Sequence, residues 1–100
     1  MPPGEPHRFH KEMGADHREI RRIMPRVADG GPFRETERGY SVSFEGGTVE
    51  IIVGPEDRRI LTGSLSLPLT RVQLVCHGMS REQAQRFERK WYLHFQKGGG

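Results

Sequence analysis

Residues 69–97 read LTRVQLVCHGMSREQAQRFERKWYLHFQK, and this stretch decides the fold class. Val72, Leu74 and Cys76 alternate with Arg71, Gln73 and Val75, the period of two expected of a strand with one buried face. Gly78 then turns the chain. Ser80 stands where a helix N-cap belongs and Gln83 follows three residues later, so the two side chains can bond each other's backbone N–H as a capping box. The helix beyond carries four of the eight aromatics: Phe87, Trp91, Tyr92 and Phe95. Ala84, Phe87, Trp91 and Phe95 share one helical face, which predicts a core seam packed against a sheet.

Upstream, Tyr40, Val42 and Phe44 alternate with Ser41, Ser43 and Glu45, and Val49, Ile51 and Val53 alternate with Thr48, Glu50 and Ile52. Gly46-Gly47 between the two runs predicts a two-residue hairpin turn. Gly54-Pro55-Glu56-Asp57 predicts a second turn leading to a strand over residues 59–67, and Pro68 separates that strand from a fourth over 70–76. The apolar parity changes there, because Leu65, Leu67 and Leu69 are odd while Val72, Leu74 and Cys76 are even. If both sets face one core, a bulge or strand break must lie between residues 68 and 71.

Near the N-terminus, Phe9, Met13, Ile20, Ile23, Met24 and Val27 all project within about 60° of Ile20 on a helical wheel. This phase predicts a helix over residues 17–24 and favours its extension back to Arg8. Gly14, Pro25 and the local capping pattern Asp16-His17-Arg18-Glu19 oppose one unbroken helix. Asp29-Gly30-Gly31-Pro32 ends the segment.

The order is therefore helix, four strands, helix: an α+β domain with a four-stranded antiparallel meander sheet and both helices on its one apolar face. One domain is expected over residues 7–97, after a Pro-rich disordered stretch at 1–6 and before a flexible Gly tail at 98–100.

The chain has 100 residues and a formal charge of +3, and Lys97, Lys90 and Lys11 are its only lysines among 16 basic residues. Arginine suits bidentate recognition of phosphate or carboxylate, but this net charge lies within the ordinary solubility range of a small domain. Cys76 is the one cysteine, which excludes an intrachain disulfide and a multi-Cys zinc motif and favours a reducing compartment. No run approaches the roughly 20 apolar residues of a membrane span, and the first residues lack a signal-peptide apolar region. A cytoplasmic, non-membrane protein is expected.

No Gly-rich phosphate loop, nucleophile elbow or H-E-x-x-H motif is present, so no catalytic residue and no cofactor is nominated. No metal site is expected either. The five histidines include no i,i+4 pair, and His10 and His17 on a helix would stand about 10 Å apart. Cys76 and His77 are neighbours on a strand and so point to opposite faces, with Cys76 in the core.

The least routine surface is the outer face of the last helix, where Arg86, Arg89, Lys90 and Lys97 gather around Leu93. Arg18 and Arg22 make a second patch on the first helix. The leading expectation is a non-enzymatic domain that binds a protein, or another copy of itself, through these residues. The alternative is weak, salt-sensitive nucleic-acid binding through the same cations. A third reading places a small-molecule or catalytic pocket between sheet and helices. The uncovered sheet face, with Ser41, Ser43, Thr48, Glu50, Ile52, Arg71 and Gln73, carries no aromatic for stacking bases and leaves Ile52 and Val75 for self-association.

Overall fold

The computed structural model describes residues 4–98, with side chains described through residue 95. Part of the expected disordered start (residues 1–3) and of the Gly tail (residues 99 and 100) lies outside the described residues. The elements are β1 (His7–Met13), α1 (His17–Val27), β2 (Phe33–Thr36), β3 (Gly39–Phe44), β4 (Gly47–Thr62), β5 (Leu65–His77) and α2 (Arg81–Gly98). The five strands form one antiparallel sheet in the order β1-β5-β4-β3-β2. The fold is α+β with an antiparallel sheet. The count of four strands and the helix-first order are corrected to five strands and a strand-first order.

The expected helical extension back to Arg8 is instead strand β1, in which Phe9 pairs with Leu74 and Met13 with Thr70. Phe9 and Met13 are four residues apart, a spacing that keeps one face in a helix and in a strand alike. Their shared phase therefore does not choose between the two. Gly14 and Ala15 break the strand, and Asp16 caps α1 by accepting the Glu19 N–H at 2.8 Å. Pro25 lies in the last turn without stopping the helix. The chain then leaves α1 through Asp29 and Gly30 at positive φ, with the Gly30 N–H donating to the Pro25 carbonyl.

At α2 the local signal is realised directly: the Ser80 N–H donates to the Gln83 side-chain oxygen at 2.8 Å and the Gln83 N–H to the Ser80 hydroxyl at 3.2 Å. Ala84, Phe87 and Trp91 are buried, and Phe95 packs partly buried against them. They join Ile20, Ile23, Met24 and Val27 of α1 and Val49, Ile51, Val72, Leu74 and Cys76 of the sheet in one core. Both helices thus cover the same sheet face. Truncating Trp91 to Ala would remove about 3–5 kcal/mol from this layer.

The first hairpin keeps the expected faces with a turn one residue earlier. Phe44 pairs with Gly47, so the loop is Glu45-Gly46, at φ 48° and 84°. Both residues in the left-handed region make the turn whose twist suits a two-residue hairpin. Gly47 has another role: a Cβ there would lie 2.6 Å from the His77 carbonyl oxygen, so its side-chain-free backbone lets β5 approach.

The largest departure is in residues 54–70. Gly54-Pro55-Glu56-Asp57 is no turn but part of β4, with a register shift between Val53 and Glu56. The expected strand over 59–67 is folded back on itself, since Thr62 pairs with Leu65. The expected break near Pro68 is absent, and β5 runs continuously from Leu65 to His77. The premise that both apolar sets face one core is thereby corrected: in an unbroken β5 the odd leucines face away from the even set, and the irregularity lies on β4 between Val53 and Glu56.

Candidate protein-interaction interface

Beyond the pairing of Met13 with Thr70 and of Gly39 with Ile52, neither β1 nor β3 flanks the central strands. Residues 56–70 of β4 and β5 continue alone as a two-stranded arm. At the strand rise of 3.3–3.4 Å, its pairs from Glu56 with Thr70 to Thr62 with Leu65 extend about 20 Å. The molecule measures 55 × 26 × 25 Å, and its radius of gyration of 14.2 Å exceeds the ~13 Å of a compact chain of this size.

The arm base is anchored on both faces. On the helix side, Glu56 accepts the His17 N–H at 2.7 Å, and the His17 ring lies 2.7 Å from the Gly54 carbonyl oxygen. Thr70 is fully buried and donates its hydroxyl to the Ala15 carbonyl at 2.7 Å. On the helix-free side, Glu12 accepts from Arg59 at 3.2 Å and lies 3.5 Å from Arg71.

Further out nothing covers the side chains. Ile60 is 76% exposed, Leu61 48%, Leu65 53% and Leu67 46%. Four of the six exposed large apolar side chains among the described residues therefore stand on this one element, and such clustering marks interaction sites rather than routine surface. Side chains alternate along β5, so Leu65, Leu67 and Leu69 share the helix-free face with Arg71 and Gln73. The parity difference between Leu65, Leu67, Leu69 and Val72, Leu74, Cys76 was the available signal, because in an unbroken strand it puts the two sets on opposite faces.

The expected basic face of α2 is partly used within the fold. Arg86 holds Glu45 through two hydrogen bonds, of 3.1 and 2.6 Å, at the β3–β4 turn. Lys90 pairs with Asp29 and lies 5.5 Å over the Phe44 ring, its side chain only 19% exposed. The hydrogen bonds from Arg86 and Lys90 hold the Glu45 and Asp29 carboxyls below their ordinary pKa values. Arg89 and Leu93 remain exposed, and the Lys97 side chain lies outside the described residues.

Arg18 and Arg22 are exposed on α1. Arg18 borders a hollow with Glu35, Glu37 and Arg38 at β2 and β3, whereas Arg89 borders one with Lys11, Glu82 and Glu88 beside β1. These are opposite edges of the sheet. Arg18, Arg22 and Arg89 have no ion-pair partner among the described residues.

Between α2 and the β1–α1 junction lies an apolar cleft of about 260 Å³, lined by Met13, Ala15, Ile23, Trp91, Tyr92 and Phe95 among others. The Trp91 N–H is directed at the Met13 sulfur at 3.4 Å, leaving no polar group of the indole free in the cleft. Cys76 is buried beneath the helices, and burial, with a smaller contribution from Glu88, pushes its thiol up to about 11, well away from a reactive thiolate. His7 and His10 alternate on β1 and face opposite sides of the sheet. Among the described residues no three His, Cys, Asp or Glu side chains converge as metal ligands, and no helix is long and apolar enough to cross a membrane. No protein family, curated protein or solved structure compared with this chain matches it.

Proposed function

We propose that this chain is a non-enzymatic protein-binding domain whose contact element is the β4–β5 arm. The observation that carries this reading is the exposure of Ile60, Leu61, Leu65 and Leu67 on a ribbon standing clear of the core. A two-stranded ribbon is marginal alone in water, and a partner covering its apolar side chains supplies the missing layer. A second reading keeps the outer face of α2, where Leu93 is 48% exposed beside a hollow lined by Phe44, Arg86, Arg89, Lys90 and His94. Nucleic-acid binding draws on fewer free cations than the sequence suggested, because Arg86 and Lys90 are already neutralised.

Site-specific photo-crosslinking separates these readings. A photoreactive side chain at position 61 is expected to give discrete protein adducts, and the same group at position 22 few. Adducts from position 93 with none from position 61 would transfer the function to α2. A titration with short DNA or RNA that shows binding at low salt and its loss at high salt would favour the cationic reading.

A further inference from the structure

Resting on that reading, we infer that the arm's partner is a second copy of this chain, stacked on it face to face and antiparallel through the helix-free side. The face carries two rows. Leu65, Leu67 and Leu69 line β5, and their partners Thr62, Arg59 and Asp57 line β4 on the same side, whereas Ile60, the partner of Ser66, lies on the other side and stays outside this contact.

A two-fold interface places one patch on itself, so it requires a surface that is self-complementary about a single point. The level of the Arg58 and Pro68 pair is such a point. An antiparallel stack centred there lays Leu67 on Leu69 of the second copy and, in the neighbouring row, Asp57 on Arg59 of the second copy, whose guanidinium also holds Glu12 of its own chain at 3.2 Å. At the positions next to the dyad, apolar meets apolar and charge meets opposite charge. The charged residues of the arm are Glu56, Asp57, Arg58 and Arg59, which sum to zero and leave no net repulsion between two arms.

The rest of the molecule leaves room for this arrangement, because both helices lie on the other side of the sheet. The same register brings Leu65 over Arg71 of the second copy, with the Gly63-Ser64 turn just beyond it. That is the position of a hollow of about 400 Å³ whose lining includes His10, Glu12, Ile52, Arg71 and Gln73. The small residues Gly63 and Ser64 at the arm tip suit a seat of this kind. Stacked sheets sit about 10 Å apart with aligned strands, the geometry two such ribbons need. A face about 20 Å long and 10 Å wide, with a seated tip at each end, belongs to the small and reversible class of interface.

Sedimentation equilibrium of the full chain from about 1 μM to 1 mM, the range of such interfaces, tests this. The chain is expected to pass from monomer to dimer. Leu67→Asp should weaken the dimer at least about tenfold, as should Asp57→Arg and Arg59→Asp separately, each with unchanged far-ultraviolet circular dichroism. Mixing Asp57→Arg with Arg59→Asp restores both charge contacts across the dyad, so the mixture should dimerise within about threefold of the parent. A parent that stays monomeric throughout, a dimer indifferent to Leu67→Asp, or a mixture no better than either variant would overturn the inference. Crosslinks from position 61 to a different protein, with a monomeric chain, would overturn it while leaving the arm as the binding element. Absence of any crosslink from position 61 would remove the underlying reading itself.

Discussion

Leu67 and Leu74 lie on the same strand, and replacing each with Ala weighs the arm against the body with identical chemistry. Leu74 is fully buried between the sheet and the helices, whereas Leu67 is 46% exposed on a face that no element covers. Leu74→Ala leaves a cavity in a close-packed layer and should cost about 2–5 kcal/mol, a large part of the 5–15 kcal/mol that holds a domain together. Leu67→Ala removes contacts made mostly with water and should cost below about 0.5 kcal/mol. With a urea slope of about 2 kcal/mol/M, Leu74→Ala lowers the midpoint by about 1–2.5 M and Leu67→Ala by less than about 0.25 M. Urea unfolding followed by circular dichroism and by the emission of Trp91, the one tryptophan and a buried one, measures both shifts. The protein must be dilute enough to be monomeric, because a dimer would add its own stabilisation by mass action. Two midpoint losses within a factor of two of each other would refute the separation, since they would mean that the arm packs on the body.

The arm base and the α2 anchors give two further predictions. Thr70→Val keeps the shape of a buried side chain but leaves the Ala15 carbonyl without its donor, and should cost about 1–3 kcal/mol in the same urea experiment. Equal midpoints for Thr70→Val and the parent would show that this bond does not tie the arm base to the α1 junction. Glu45 and Asp29 have lowered folded-state pKa values, so their stabilisation is present above the ordinary carboxylate range and is lost as pH falls through the lowered values. A Glu45→Gln, Asp29→Asn variant should therefore show a smaller drop in melting temperature between about pH 5 and pH 3 than the parent. An equally steep drop would remove these pairs as a source of acid sensitivity.

The sequence by itself determined the elements whose signals are local. The capping box at Ser80 and Gln83 joins residues three apart, and both hydrogen bonds form. The seam of Ala84, Phe87, Trp91 and Phe95 follows from one helical period, and the inward set of Tyr40, Val42, Val49 and Ile51 from strict alternation. Tertiary structure decided what local periods leave degenerate. Phe9 and Met13 fit helix and strand equally, and pairing with β5 makes them a strand. The odd leucines at 65, 67 and 69 read as strand residues in either case, but parity cannot say which side of the sheet a helix covers. Both helices lie on the even side, so these leucines face outward along a ribbon with no neighbour. The basic face of α2 shows the same division: helical spacing placed Arg86 and Lys90 on a surface, while Glu45 and Asp29, far along the chain, turned them into clamps. Backbone periodicity is carried by neighbours in sequence, whereas the partner that uses a side chain is chosen by folding.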